Sequence, residues 1–94
     1  MQPLKVLVCG SRDWFDWEPI QVRMGNLPEG TIVVHGDAPT GADRIADYTA
    51  LILGFEVRPY PADWKRFGRT AGPIRNKQMV KEEQPYLVLA YWFQ

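Results

Sequence analysis

Apolar residues are grouped into four short runs along the chain, and each run ends at or near a glycine, a proline or a polar residue. The runs are Val6–Cys9, Thr31–His35, Phe55–Tyr60 and Tyr86–Trp92. Continuous, β-branched runs of this length are typical of strands in a parallel sheet that is buried on both faces. The third run alternates and contains Pro59, which is typical of a strand at a sheet edge. The pattern therefore predicts four strands.

Amphipathic segments lie between the runs and predict three helices. The first spans Glu18–Met24, and the third spans Pro73–Glu83 with proline at its first position. The second begins after Thr40, which can cap it together with Asp43, and Gly54 can end it. Strands and helices thus alternate, which predicts an α/β fold. We expect a Rossmann-like three-layer sandwich whose parallel sheet has the strand order 3-2-1-4.

Length and composition restrict the class of protein. The chain has 94 residues, 46% of them hydrophobic, which fits one globular domain over residues 1–94. Its formal net charge is zero, so no overall charge attracts nucleic acid or an anionic membrane. The single cysteine, Cys9, allows no intrachain disulfide, and no apolar run is long enough to cross a bilayer. The chain starts without a signal-peptide pattern, so we expect a cytoplasmic protein.

Ligands of open α/β sheets bind at the carboxyl ends of the strands, next to the point where the strand order reverses. Gly10, Ser11 and Arg12 directly follow the first predicted strand. Glycine lets the backbone approach a ligand closely, while the hydroxyl and the guanidinium can bind a phosphate. The alternative interpretation is an ordinary turn with a solvated arginine.

The loop after the second strand leads into a helix, where free N–H groups and the helix dipole favour an anion. It contains Gly36, Gly41 and two carboxylates. Asp37 can accept a ribose hydroxyl, whereas Asp43 can do the same or only cap the helix. The loop matches neither a Walker A loop nor the dinucleotide glycine pattern. His35 has no second histidine or cysteine pair near it, so we predict no metal site and favour a structural role.

The segment Pro61–Ala71 is the longest one without a regular pattern, and it opens the one basic cluster of the sequence. Asp63 and Trp64 lie in it, and Arg75 and Asn76 follow in what the pattern makes the first turn of the third helix. Aromatic rings among cations suit stacking on a base while the cations hold phosphates. A cation in a first helical turn opposes the helix dipole, which an anionic ligand would offset. The alternative is a solvated loop with Trp64 packed into the core.

Five short segments, taken together, resemble the SLOG superfamily and most of all its YspA-related branch. They occur in order and at the expected spacing over nearly the whole chain. The segments are Gly10-Ser11-Arg12, His35-Gly36-Asp37, Gly41-Ala42-Asp43, Pro61-Ala62-Asp63-Trp64-Lys65 and Gly72-Pro73-Ile74-Arg75-Asn76. The resemblance implies a Rossmann-like fold that binds nucleotides or their derivatives. The ligand-binding residues that we predict are Gly10, Ser11, Arg12, His35, Gly36, Asp37, Gly41, Asp43, Asp63, Trp64, Arg75 and Asn76.

The resemblance also implies which activities to consider. Its relatives include the LOG enzymes, which release a base from a nucleoside monophosphate, and DprA, which binds single-stranded DNA. After the fourth strand the superfamily usually continues with a Pro-Gly-Gly-x-Gly-Thr loop, a helix and a catalytic glutamate. The sequence instead ends at Ala90–Gln94. We therefore expect a shortened SLOG-like domain and lean against an enzyme.

The predicted function is binding of a nucleotide or a nucleotide-derived signalling ligand, as a sensor or a sequestering protein, with no further cofactor. The alternative is a nucleotide N-glycosidase, for which Asp37, Asp43 or Asp63 would supply the acid or base. Binding of single-stranded DNA is a third hypothesis, and the zero net charge fits it least. The shortened domain leaves one flank of the sheet uncovered, with Tyr91, Trp92 and Phe93 near the end of the chain. We therefore expect an exposed apolar patch and hence a homo-oligomer.

Overall fold

Four parallel strands form one sheet in the structure, a computed structural model that describes residues 2–93. The strands are β1 (Lys5–Gly10), β2 (Ile32–His35), β3 (Glu56–Pro59) and β4 (Leu87–Tyr91). Their order is β3-β2-β1-β4. The predicted order is therefore confirmed, and it makes β1 and β4 the neighbours between which the order reverses. Met1 and Gln94, the two ends of the predicted domain, lie outside the described residues.

The helices connect the strands in the predicted alternation. They are α1 (Trp17–Gly25), α2 (Ala42–Leu53), α3 (Trp64–Phe67) and α4 (Ala71–Glu83), with a 3-10 helix at Gly68–Thr70 between the last two. Each crossover between parallel strands thus contains a helix, as an α/β fold requires. None of the helices within residues 2–93 has the length and apolar character needed to cross a bilayer.

Three local expectations are wrong. Thr40 does not cap α2: the cap is Gly41, and the Thr40 hydroxyl donates instead to the carbonyl oxygen of Arg12 at 2.9 Å. The segment from Pro61 is not irregular, because the Asp63 carboxylate accepts from the Arg66 N–H at 3.2 Å and starts α3. Helix α4 begins at Ala71, so its first turn ends before Arg75 and Asn76 and the helix-dipole argument for an anion does not hold there.

Both faces of the sheet are covered, and this explains the continuous apolar runs. On one face, Val6 and Val8 of β1 pack in a core with Ile20 of α1 and Ala46 of α2. On the other face, Leu7 of β1 and Val34 of β2 pack against Met79 of α4. Because successive residues of a strand point to opposite faces, the middle of β1, Val6–Cys9, has to be apolar at every position. The three-layer arrangement is confirmed.

The two edge strands differ in character. Edge strand β3 carries the charged residues Glu56 and Arg58, and it ends at Pro59. Edge strand β4 is apolar, and it buries Leu87 and Leu89 only in part against the first core. Charges and proline are the usual protection of an edge strand. The residues of β3 therefore identify it as an edge strand, whereas only the predicted strand order places β4 at the other edge.

A buried carboxylate fastens the end of α4 to the sheet. Glu83 accepts hydrogen bonds from Arg58 at 2.9 Å and from the Tyr60 hydroxyl at 2.5 Å, and Lys5 lies 3.2 Å away. These partners hold the pKa of Glu83 below its ordinary value, with the Tyr60 hydroxyl as the main cause. The same hydrogen bond raises the pKa of Tyr60 to about 12. The network joins the last turn of α4 to β1 and to the residues at the end of β3.

We expect Glu83→Gln to lower the free energy of unfolding at neutral pH by about 2 kcal/mol, the cost of losing charge-assisted hydrogen bonds. Since the folded-state pKa of Glu83 is depressed, its stabilisation exists above the ordinary glutamate pKa and is lost as the pH falls through the folded value. Denaturant titrations of both proteins should therefore converge in acid. The exposed neighbour gives the control, since Glu82→Gln should change little at any pH. Equal stability of Glu83→Gln and the parent protein at neutral pH would contradict this account.

Candidate functional site

The loop after β1 is tied to the start of α2 by backbone hydrogen bonds. The Ala42 N–H donates to the carbonyl oxygen of Ser11 at 3.1 Å. Gly41 has a φ of 79°, and a Cβ there would collide with the backbone of Ser11 and Arg12. Only glycine suits such a left-handed conformation in so close a contact. Arg12 is thereby held beside the amino end of α2, as the prediction for phosphate binding requires.

Ser11 itself uses its side chain locally. Its hydroxyl oxygen accepts from the Asp13 N–H at 3.1 Å, and its own N–H donates to the carbonyl oxygen of Tyr91 at 2.9 Å. The second bond links the ends of β1 and β4. Ser11 therefore supports the loop, and its role as a ligand-binding residue stays a prediction.

His35 supports the turn after β2. It is buried, its Nδ1 accepts from the Asp37 N–H at 2.9 Å, and its Nε2 lies 2.9 Å from an Asp47 carboxylate oxygen. With Nδ1 as acceptor, the ring proton must lie on Nε2 and point to Asp47. This arrangement holds Asp37 in a left-handed conformation with φ 58°. Both ring nitrogens are engaged within the protein, in line with the structural role favoured above.

Asp43 is a buried carboxylate in the first turn of α2, only 6% exposed. One of its oxygens accepts from the Ala38 N–H at 3.2 Å. Burial raises the pKa of Asp43, and the Ala38 hydrogen bond opposes this shift. Asp43 is thus a partly satisfied acceptor inside the protein rather than an exposed helix cap.

Arg75 extends from α4 across the ends of β2 and β3. Its Nη1 donates to the carbonyl oxygen of Gly36 and, at 3.1 Å, to that of Tyr60, while its Nε donates to the Asn76 side chain at 2.7 Å. Burial lowers the pKa of Arg75, and the nearby Asp43 charge partly compensates. Gly36 has to be small, since a Cβ there would lie 2.5 Å from Nη1 of Arg75 and 2.9 Å from a carboxylate oxygen of Asp43.

A cavity of about 410 Å³ lies on one side of Arg75, and we call it the outer cleft. The Arg12 guanidinium stacks over the Trp64 ring at 4.9 Å from its centroid, a cation–π contact. The lining residues are Arg12, Gly36, Asp37, Ala38, Pro39, Pro61, Ala62, Trp64 and Arg75. The outer cleft therefore combines two cations, one carboxylate and one aromatic ring.

A smaller cavity of about 230 Å³ lies on the other side, and we call it the inner cleft. It shares Gly36 and Arg75 with the outer cleft, so the two cavities are adjacent. Its lining residues are Leu7, Cys9, Gly10, Gly36, Asp43, Arg75, Asn76, Met79, Val80, Val88 and Trp92. Most of its wall is apolar, and burial raises the pKa of the Cys9 thiol.

A larger cavity of about 870 Å³ lies at the opposite end of the sheet, lined by residues such as Lys5, Gly30 and Tyr86. It borders the starts of β1 and β4 and the last turn of α4. Two of its charged groups, Lys5 and Glu83, already pair with each other. Ligands of open α/β sheets bind at the carboxyl ends of the strands, so we assign the functional site to the two clefts.

Eight of the twelve predicted residues line the two clefts, namely Gly10, Arg12, Gly36, Asp37, Asp43, Trp64, Arg75 and Asn76. The other four, Ser11, His35, Gly41 and Asp63, support loops or begin a helix nearby. Within the described part of the chain, no three His, Cys, Asp or Glu residues are grouped as metal ligands.

The prediction missed six residues of the inner cleft, which are Leu7, Cys9, Met79, Val80, Val88 and Trp92. For Cys9, the two-residue alternation of side chains along a strand would have indicated its position. Cys9 lies two positions after the buried Leu7, so it shares a sheet face with it at the carboxyl end of β1. Met79 lies in α4 and Trp92 follows β4. Their approach to the inner cleft depends on how these elements pack against β1, which the alternation along one strand does not predict.

A four-stranded parallel sheet of order β3-β2-β1-β4 with helices on its faces defines a Rossmann-like α/β domain. The chain belongs to the YspA, cpYpsA-related SLOG family, whose model matches residues 4–67. It is also similar to the Gene 61 protein of Mycobacterium phage D29, with 42% identity over 86 residues that cover 82% of this chain and 68% of that protein. No solved structure matches the chain. Membership of this family suggests a nucleotide-related function.

We expect Asp43→Asn to raise the melting temperature at neutral pH. The folded-state pKa of Asp43 is raised, so its ionisation costs stability as the pH rises above the ordinary aspartate value. Asparagine keeps an oxygen that can accept from the Ala38 N–H but carries no charge. Thermal melts should therefore differ at neutral pH and coincide in acid, where Asp43 is protonated.

The exposed Asp13 supplies the control, since Asp13→Asn removes a carboxylate at the surface. A lower melting temperature of Asp43→Asn at neutral pH would mean that the carboxylate makes a stabilising contact, contrary to this account.

Proposed function

We propose that the protein binds a nucleotide or a nucleotide-derived ligand in the outer cleft, as a sensor or a sequestering protein. The observation that carries the proposal is the grouping of Arg12, Arg75 and Trp64 around one cavity beside the amino end of α2. Cations for phosphate and an aromatic ring for a base are the two requirements of such a ligand.

The phosphate would lie between the two arginines. Arg75 donates from Nη1 and Nε to other residues of the protein. Its Nη2 donates to none of the residues that the structure describes. Arginine has five N–H donors in a planar fork, so Nη2 can still donate to an anion. The residues that lead into α2, Ala38 and Pro39, border the same cavity, and the amino end of this twelve-residue helix favours negative charge.

The base and the ribose would occupy the remaining positions of the outer cleft. Trp64 is 47% exposed, and one face of its ring is covered by the Arg12 guanidinium. A base that stacks on this face would displace Arg12, which is then free to pair with the phosphate. Asp37 is exposed at the same cavity and can accept a ribose hydroxyl.

A nucleotide N-glycosidase is the second candidate function, and one observation favours it. Asp43 is a buried carboxyl in a cleft that adjoins the proposed nucleotide site, and groups that exchange protons in catalysis often occupy such positions. Incubation with nucleoside monophosphates and chromatography for the free base separates the two functions. Base release that Asp43→Asn abolishes would support the enzyme, and intact nucleotide would support binding alone.

Other predictions of partners and location stay predictions. Trp92 and Phe93 are 60% and 54% exposed, which supports the proposal of a homo-oligomer through this aromatic surface. A basic surface of Lys65, Arg66 and Arg69 offers little to nucleic acid, because the net charge of the chain is zero. A nucleotide ligand is consistent with a cytoplasmic location.

We expect Arg12→Ala to weaken nucleotide binding at least tenfold, because a charge-assisted hydrogen bond to phosphate is worth about 1.5–3 kcal/mol. Isothermal titration calorimetry with AMP, ADP, ADP-ribose and cyclic dinucleotides measures the affinity. Arg69→Ala is the matched control, since it removes the same charge from the adjacent 3-10 helix without touching either cleft. If none of these compounds binds at millimolar concentration, the proposal is wrong.

A further inference from the structure

The outer and inner clefts adjoin at Arg75 but differ in chemistry. The outer cleft has Arg12, Asp37 and Trp64, and it is open to charged groups. The inner cleft has apolar walls that include Leu7, Met79 and Val88. Its volume of about 230 Å³ is below the roughly 300–1,000 Å³ of sites that hold a whole ligand, so it suits one part of a ligand.

The inner cleft is unsuited to a phosphate. Its two charged lining residues are Arg75 and Asp43. Arg75 directs its Nη1 to the carbonyl oxygens of Gly36 and Tyr60, whereas the Asp43 carboxylate, only 6% exposed, would repel an anion in surroundings that screen charge weakly. The apolar side chains cannot replace the hydration of a phosphate. An uncharged group with N–H or O–H donors fits better, because the Asp43 oxygens accept hydrogen bonds and the apolar walls contact its carbon atoms.

We propose that the site takes a nucleotide whose phosphate is joined to a second, uncharged group with hydrogen-bond donors, and that the inner cleft holds this second group. This inference rests on the proposed function, since the nucleotide part would lie in the outer cleft. The phosphate linkage would pass over Arg75, the residue that both clefts share. A nucleotide with a terminal phosphate would fill only one of the two cavities.

Three residues would select the second group. Asp43 accepts from its hydroxyl or amino donors, and the Asn76 side chain lies in the same wall. Trp92, which is 60% exposed, forms part of the apolar wall and can cover the group from the solvent side. Asp43 would thus discriminate against a free terminal phosphate by repulsion as well as select a hydroxyl by hydrogen bonding.

Matched pairs of ligands test the proposal without knowledge of the base. The probes are ADP with ADP-ribose, UDP with UDP-glucose, and GDP with GDP-mannose. In each pair the second member carries one more uncharged sugar and, because its terminal phosphate is esterified, about one negative charge less. Calorimetry gives the affinity ratio within each pair. We expect the sugar-bearing member of at least one pair to bind about tenfold more tightly, the gain from one or two hydrogen bonds to a charged acceptor.

Variants of the inner cleft should remove this preference selectively. Asp43→Asn and Trp92→Ala should each bring the ratio within that pair towards one. Asp43→Asn removes both the repulsion of a terminal phosphate and a charged acceptor for the sugar, whereas Trp92→Ala removes an apolar contact to the sugar. Tyr86→Ala is the control, because it removes an exposed aromatic residue that lies outside both clefts. The circular dichroism of each variant checks that the fold is retained.

The outcomes separate this inference from the proposed function. If plain diphosphates bind as tightly as their sugar-bearing partners, the inference is wrong and the proposed function stands. If a preference exists but survives both Asp43→Asn and Trp92→Ala, the inner cleft does not hold the second group. If no member of any pair binds, the proposed function and this inference both fail.

Discussion

The site depends on one side chain, the guanidinium of Arg75. It donates to backbone carbonyls at the ends of two strands, at Gly36 and near β3 at Tyr60, and so fixes the distance between α4 and the sheet. It also forms the boundary between the two clefts. A lysine has neither the planar fork nor the number of donors to do both. Arg75 thus adds a side-chain link between the loops after β2 and β3, whose backbones are already joined by the Tyr60 N–H to His35 carbonyl hydrogen bond.

The two buried carboxylates, Asp43 at the cleft and Glu83 at the end of α4, differ in how their ionisation affects stability. Burial raises the pKa of Asp43 more than its backbone hydrogen bonds lower it, so the ionisation of Asp43 costs stability. Glu83 at the other end of α4 is equally buried, yet it has three partners and its pKa is lowered. The protein therefore gives charged and hydroxyl partners to the carboxylate that holds the fold, and backbone N–H partners to the one at the cleft. Such a cost is typical of a functional position.

The sequence predicted the sheet order and eight cleft residues, because alternation of elements determines which loops meet at one edge. The sequence did not predict features that depend on very short elements or on how side chains pack between elements. A four-residue helix has no measurable period, so α3 was missed although Asp63 caps it. The division into two clefts depends on the path of the Arg75 side chain, and no spacing in the sequence describes that path. Trp92 belongs to the site only because β4 pairs with β1.

Helix α4 is bonded to the rest of the protein at two points, through Glu83 at its end and through Arg75 nearer its start. Met79 is buried between them. Glu83 pairs only with side chains of the same protein, namely Arg58, Tyr60 and Lys5. Arg75 belongs to the proposed site, so an anion that bonds to it would brace the helix as well as occupy the cleft. Occupancy and rigidity would then rise together, because a ligand that binds only the folded state stabilises it. A partner that binds α4 could then distinguish the ligand-bound protein from the free protein by the lower mobility of this helix, without any large change of shape.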